Sequence, residues 1–361
     1  MNIAISAAET SGDVIAAPVV AALKAQDPNS KIQGLLGEQM QAQGAQMLWS
    51  LDRVNVMGFT EVLKKLPSIL QLRAQMLKRF MEHRPDVFVG VDAPDFNLKL
   101  EHQLQEQGIK TIHLVSPSVW AWRQKRVEKI KQSCDLVLCL FPFEVAFYEQ
   151  HGQAARFIGH PLAQQLKPRG EHQPSHKIVL MPGSRGAEIK QLLPEMLGAA
   201  QHISQQHPQM HYQLVLASQQ QLEEVAPMLT ESNIQVSVGD AHTQIRQADL
   251  VLVASGTAAL EVALIGVPMV VIYRLSSISY QIASRLLKTP YVSLPNILAG
   301  KALVPELIQD QARDDQIAQQ ALALLEQDHT QLIQEFSQIH QSLYRDSAEQ
   351  AAQAILEVAR G

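Results

Sequence analysis

Cysteine is almost missing from this chain. Two residues, Cys134 and Cys139, among 361 exclude a disulfide framework and a four-thiolate metal site, and such a count points to buried thiols in a reducing compartment. Long apolar runs are missing too. The longest candidate, Val262 to Tyr273, is broken by Gly266 and Pro268 and falls short of the roughly 18 to 20 residues that span a bilayer. Positive charge is in no surplus: 30 basic against 35 acidic residues leave a net charge of −5, which gives a general nucleic-acid role no support while leaving room for a local basic surface. The first residues, Met1-Asn2-Ile3-Ala4-Ile5, run straight into strand-like sequence without a charged leader or cleavage site. The expectation is therefore a cytoplasmic chain, attached at most to a membrane surface. G-x-G-x-x-G, H-E-x-x-H, G-x-S-x-G and zinc-ligand spacings do not occur, so dinucleotide-binding, metalloprotease and hydrolase readings lack their motifs. The 13 histidines are scattered, many in polar Gln-rich stretches.

What is present is an alternation of short apolar strands with helical patterns, which predicts an α/β protein with parallel sheets covered on both faces. Strands are expected at 2–8, 32–37, 86–92, 111–115, 136–140 and 156–159. After a polar break at Lys167–His176, carrying Pro168, Gly170 and Pro174, a second series is expected at 177–181, 212–217, 234–238, 249–254 and 269–273. This predicts an N-terminal domain over 1–166, a linker over 167–176, a second domain over 177–328 and closing helices over 329–361, packing back on the first domain. Both domains would be doubly wound, with ligands beyond the carboxyl ends of the strands. In the last segment Leu332, Phe336, Ile339 and Leu343 share one helix face, and Ser347-Ala-Glu-Gln350 resembles a capping box.

Several strand ends carry chemistry. Ser116-Pro-Ser-Val-Trp-Ala-Trp-Arg-Gln-Lys-Arg126 sets Trp120 and Trp122, two of three tryptophans, beside Arg123, Lys125 and Arg126. Pro117 must end the preceding strand. Such a loop suits a phosphorylated ligand with an apolar body; equally, the tryptophans could pack into the core. Gly90-Val-Asp-Ala-Pro-Asp-Phe-Asn97 places Asp92 at an apolar strand's end, where partial desolvation would make it a proton acceptor for an attacking alcohol. Asp95, past the proline, competes but reads more as a turn residue. Glu9, in Ala8-Glu-Thr-Ser-Gly-Asp13, could orient a hydroxyl, and Ser11 and Asp13 could simply cap a helix. Met57, Phe59, Leu63, Leu66 and Leu70 belong to a segment running to Phe80, threaded with Lys64, Lys65, Arg73, Lys78 and Arg79. It suits either a helix on the domain core or an acyl-chain and membrane contact.

In the second half, Met181-Pro-Gly-Ser-Arg-Gly-Ala-Glu-Ile189 joins strand to helix. Gly183 and Gly186 permit close backbone approach, and Arg185 adds a forked cation suited to a diphosphate. Ser255-Gly256-Thr257 opens another helix whose free amides suit a phosphate, and Glu261, one turn deeper, could accept ribose hydroxyls.

Together these segments closely resemble the lipid-A-disaccharide synthase family. Ser11 to Asp13, Gly90 to Asn97, Ser116 to Ile130, Gly159-His160-Pro161, Pro182 to Ile189, Ser255 to Glu261 and Tyr291 to Gly300 match in the expected order along almost the whole chain. The resemblance implies two facing Rossmann-like domains of the GT-B type. It also implies a peripheral inner-membrane enzyme needing no metal or cofactor, which joins UDP-2,3-diacylglucosamine to 2,3-diacylglucosamine 1-phosphate (lipid X) with inversion. Asp92 would be the base and Glu9 would position a sugar group. Gly183, Ser184, Arg185, Ser255, Gly256, Thr257, Glu261 and Asn296 would hold the UDP-sugar. Trp120, Trp122, Arg123, Lys125 and Arg126, with the Met57–Leu70 apolar residues, would meet the acceptor lipid. The chain departs from the pattern at Ala8 and Thr10, at Glu38 and Gln39, and at Gln164. The rivals are another UDP-sugar enzyme, such as an epimerase or a peptidoglycan-type transferase, and a non-catalytic lipid or nucleotide-sugar binder. Oligomeric state stays open, a dimer included.

Overall fold

The computed structural model describes all residues except 55–58, 122–123, 231–233 and 276–288, together with the side chains of 59–64. Two compact units emerge, one of Met1–Gln164 with Leu343–Gly361, the other of Gln165–Ser342.

The first unit is built on seven strands: β1 (Asn2–Ala7), β2 (Lys31–Leu36), β3 (Gln46–Ser50), β4 (Val87–Val91), β5 (Lys110–Leu114), β6 (Leu136–Cys139) and β7 (Ala155–Phe157). They run in the order β3-β2-β1-β4-β5-β6-β7, and each pairing is parallel. The second unit holds β8 (Lys177–Met181), β9 (His211–Leu216), β10 (Gln235–Val238), β11 (Leu250–Ala254), β12 (Met269–Tyr273) and β13 (Glu306–Ile308). Their order is β10-β9-β8-β11-β12-β13, again all parallel. Each is a doubly wound Rossmann-like sheet whose order reverses once, between β1 and β4 or between β8 and β11. Central strands such as Val87-Phe-Val-Gly-Val91 and Leu250-Val-Leu-Val-Ala254 are buried at every position, as strands covered by helices on both faces must be.

Two strands have no counterpart in the sequence reading. β3 is an edge strand with no fully buried residue, so its pattern is mixed; β13 is three residues long and begins with Glu306. The Pro- and Gly-bearing segment after residue 166 packs on the second unit. Arg169 donates its N–H to Ile265 O at 2.7 Å and its Nε–H to Gly266 O at 3.1 Å, and the Ser175 N–H reaches Asp249 at 2.9 Å. Helix Thr330–Leu343 buries Phe336, Ile339 and Leu343. The last helix, Ser347–Arg360, packs on helix Thr10–Gln26 and on β4 and β5. Its cap is Asp346, which accepts the Glu349 N–H at 3.0 Å. Ser347 is instead tied to Gln164, whose amide oxygen accepts the serine N–H at 3.2 Å. A carboxylate one residue earlier thus replaces the expected Ser-x-x-Gln box. No helix among the described residues is long and apolar enough to cross a membrane.

Candidate active-site cavities

At the switch point of the first sheet, the loops after β1 and β4 border a cavity of about 620 Å³. Ala8, Glu9, Thr10 and Ser11 line one side, and Ala93, Pro94, Asp95 and Phe96 line another. Leu66, Ile69, Leu70 and Arg73 complete it from helix Phe59–Glu82. That helix has two working faces. Leu72, Met76 and Phe80, four residues apart, are 0–1% exposed and belong to the core. Leu66 and Leu70 are 44% and 45% exposed and stand on the cavity side. The core reading of the segment therefore holds for Leu72, Met76 and Phe80, while Leu66 and Leu70 border the cavity. Met57 lies outside the described residues, as do the side chains of Phe59 and Leu63.

Asp92 and Ala93 are both left-handed, with φ of 49° and 42°, a backbone state that non-glycine residues adopt at a cost of about 1–3 kcal/mol each. Asn97, fully buried, holds the turn: its Nδ2 donates to Val91 O at 3.0 Å and Asp92 O at 2.9 Å, while its Oδ1 accepts the Ser6 hydroxyl at 2.8 Å. The Asp92 N–H donates to Leu114 O at 2.8 Å. Asp92 thus sits directly before the cavity-lining Ala93 and Pro94, and its carboxylate has no protein partner among the described residues. Asp95, the competing carboxylate, is exposed and paired with Arg126. Asp13 lies elsewhere. Its buried carboxylate accepts the N–H groups of Gly37, Gln39 and Met40 at 2.9, 3.0 and 3.2 Å, fastening helix Glu38–Ala42 rather than capping its own.

The Trp-bearing loop starts from a second strained strand end, Val115 at φ 76°. Trp120 does not line the cavity. Its ring packs edge-on against Phe143, centroids 4.7 Å apart, and its Nε1–H donates to Glu144. Burial pushes the Glu144 carboxyl up to about 7, against the Phe141 amide and the Ser116 and Trp120 donors that pull it down. Packing and the buried carboxylate therefore account for Trp120. Lys125 is exposed, Arg126 borders a neighbouring groove, and Trp122 and Arg123 lie outside the described residues.

The second sheet repeats the arrangement. At its β8/β11 switch point a cavity of about 540 Å³ brings together Gly183, Ser184, Arg185, Ser255, Gly256 and Thr257, over a floor that includes Val215 and Ala254. Glu261 also lines it, and His242 Nε2 lies 3.2 Å from its Oε2. Burial raises the Glu261 carboxyl, with His242 opposing. Glu188, absent from the sequence expectations, is the surprise. Burial raises its carboxyl, while the Ser184 and Arg185 amides bond to it and pull it down. Gly183, at φ 108°, has no room for a side chain because a Cβ there would stand 2.1 Å from Glu188 Oε2. The signal was available: a carboxylate in the first turn after a glycine-bearing loop. Arg73 was equally legible from its seven-residue step from Leu66.

Asn296 is not in this cavity. Its Nδ2 donates to Val304 O at 2.9 Å and Glu306 Oε1 at 2.8 Å, and its Oδ1 accepts the Leu303 and Val304 N–H groups at 2.8 and 2.9 Å. With both protons and both lone pairs committed, the amide has no capacity left for a ligand. Its link to the cavity is indirect, through Ser255, whose hydroxyl donates to Val292 O at 2.9 Å just before helix Leu294–Ala299.

A family model described as lipid-A-disaccharide synthetase matches residues 3–355. The chain is 42% identical to the lipid-A-disaccharide synthase of Pseudomonas aeruginosa (strain UCBPP-PA14), over 99% of this chain and 98% of that protein. It is 44% identical to that of Pseudomonas putida (strain GB-1), over 98% and 97%. Among solved structures it resembles the UDP-GlcNAc 2-epimerase of Neisseria meningitidis bound to UDP-GlcNAc, with TM-score 0.63, 10% identity and 99% of both chains covered. The glycotransferase of kitacinnamycin gives TM-score 0.62 at 16% identity, over 99% of this chain and 98% of that one. At such identities the structural likeness speaks for the fold alone.

Proposed function

Because this chain belongs to the lipid-A-disaccharide synthase family of glycosyltransferases, we propose that it condenses UDP-2,3-diacylglucosamine with 2,3-diacylglucosamine 1-phosphate. The products are a β-1′,6-linked tetraacyl disaccharide 1-phosphate and UDP. In a single displacement the acceptor 6-oxygen bonds to the donor anomeric carbon as the bond to the UDP oxygen breaks, inverting that carbon. The acceptor proton goes to Asp92, and the electron pair leaves with the diphosphate. Arg185 and the amides near Gly256 and Thr257 stabilise the charge that develops there. Glu261 accepts the ribose hydroxyls, and Glu9 positions a sugar group.

One observation carries most weight: Asp92, held left-handed directly before Ala93 and Pro94, which line a cavity walled by Leu66, Ile69, Leu70 and Phe96. A carboxylate with no partner among the described residues, one residue from an apolar-walled cavity, suits proton removal from an acylated sugar alcohol. A UDP-sugar epimerase would share the second cavity but has no use for that wall. The exposed Leu66 and Leu70 also favour peripheral contact with an anionic membrane surface. Incubating the purified protein with both acylated sugars, and following UDP and disaccharide by mass spectrometry, tests the assignment. Stoichiometric release of both is expected; no product from active substrates would overturn it.

A further inference from the structure

Beside the first cavity, and sharing Pro94 and Asp95 with it, lies a groove of about 340 Å³. Lys99 and His102 enter it from helix Pro94–Gln105; Arg126 and Lys129 enter from the start of helix Val127–Lys131 and the residue before it. Residues three apart share a helix face, so both pairs can point into one space. Neither lysine ammonium has a carboxylate partner among the described residues. His102 is engaged, with Nδ1 on the Gln132 carbonyl and Nε2 3.6 Å from Glu106, and contributes shape more than charge. Among the described residues Arg126 is paired only with Asp95, which is 84% exposed at the shared rim, and pairs of that kind hold weakly.

The charge balance separates the two spaces. A phosphate in the cavity would face Arg73 but also Glu9 and Asp95. In the groove it would face Lys99, Arg126 and Lys129, with Asp95 the one opposing carboxylate among the described lining residues. We propose that the groove is a phosphomonoester subsite: Lys99, Arg126 and Lys129 hold the phosphate of a phosphorylated sugar acceptor whose acyl chains lie along the Leu66–Leu70 wall. The inference rests on the glycosyltransferase reading above and assigns a location to the acceptor's anionic group. Arg126 moves from Asp95 to the ligand, and the two lysines supply the remaining charge-assisted hydrogen bonds.

The test compares acceptors with and without the 1-phosphate, using the full chain and the variant Lys99→Ala/Lys129→Ala. Both lysines are exposed, and alanine favours helix, so the variant should fold. In the parent chain, loss of the phosphate should raise the acceptor KM about tenfold. The variant should show that raised KM with the phosphorylated acceptor, keep its donor KM, and no longer distinguish the two acceptors. Full discrimination by the variant, or its loss in Arg73→Ala instead, overturns the proposal. Calorimetric titration with glucosamine 1-phosphate against glucosamine asks the same without turnover. Phosphate-dependent binding that the variant loses supports the subsite even if neither acceptor is converted, in which case only the substrate assignment falls. No phosphate-dependent binding overturns the subsite. Phosphatidylglycerol vesicles separate the remaining source of phosphate: a variant whose sole defect is lost vesicle sedimentation overturns the proposal in favour of a headgroup contact.

Discussion

The indole Nε1–H of Trp120 donates to Oε1 of buried Glu144 across 3.1 Å, and Oε2 of the same carboxylate accepts the Phe141 N–H at 3.1 Å. One side chain thus ties the Trp-bearing loop to the start of helix Pro142–Gln150. Burial lifts this carboxyl from 4.5 to about 7. A raised carboxyl contributes stability that is complete below its unfolded value and is lost as pH rises through its folded one. Between pH 5 and 8 this amounts to about 3 kcal/mol at most. Glu144→Gln should therefore flatten the fall in Tm over that range relative to the parent chain. Parallel pH profiles for the two proteins would contradict the assignment.

Asp92→Asn separates chemistry from folding, because asparagine tolerates the left-handed backbone that Asp92 adopts at φ 49°. Its Tm should stay within about 2 °C of the parent while turnover falls roughly 10²- to 10⁴-fold. Rates should be read at saturating concentrations of both sugars. Turnover near the parent value would remove Asp92 from the role of base.

Gly183→Ala places a Cβ 2.1 Å from Glu188 Oε2 on a backbone at φ 108°. The Glu188 carboxylate or the loop must shift, and the φ alone costs about 1–3 kcal/mol, so UDP affinity should fall roughly tenfold or more. Adding Glu188→Ala removes the collision but not the strained φ, so calorimetry with UDP should show only partial recovery in the double variant. Complete recovery would make the clash the whole effect.

Leu66 and Leu70 are nearly half exposed, whereas Leu72 is fully buried on the other side of the same helix. Leu66→Ser/Leu70→Ser should reduce sedimentation with anionic liposomes and leave the melting curve nearly unchanged. Leu72→Ser should lower stability by about 2–5 kcal/mol. If both variants bind liposomes normally, the exposed leucines serve the cavity and not a membrane.

Glu101 and His113, both fully buried, meet at 2.8 Å, while Glu101 Oε2 and His113 Nε2 find no partner among the described residues. Removing one member strands the other, so Glu101→Ala should cost about 3–5 kcal/mol in chemical denaturation. The pair Glu101→Met/His113→Leu should recover most of it. Gly90, beside them, leaves no free space for a side chain: a Cβ would lie 1.9 Å from Glu101 Oε1 and 2.9 Å from Asn97 Cβ.

Much of this was legible along the chain. Apolar runs bounded by turn residues located β1, β4, β8 and β11, and the loops after them carry Glu9, Asp92, Arg185 and Thr257. Those four strands sit at the centre of their sheets, where burial on both faces leaves little choice of residue. Two of the four edge strands escaped: β3 is half-exposed and its pattern mixed, and β13 is three residues long and begins with a glutamate, whereas the edge strands β7 and β10 were located. Asn296 shows the limit of reading a side chain from its motif. Its position in Leu294-Pro-Asn suggested a ligand contact, yet the surrounding carbonyls, amides and Glu306 consume its entire hydrogen-bonding capacity.

By itself, then, the sequence determined the two doubly wound sheets and the strand ends that matter, because periodicity and turn chemistry are local properties, and the motifs at those ends carried the resemblance to the family. Tertiary structure decided which side chains at those ends remain open. Trp120 was drawn into an edge-on aromatic contact and Asn296 into a closed network, while Asp92 was left on a strained turn without a partner among the described residues. Glu188 was folded over Gly183, and lysines from two different helices were gathered into one groove. Each of these depends on contacts between residues distant in the chain, which no local pattern encodes.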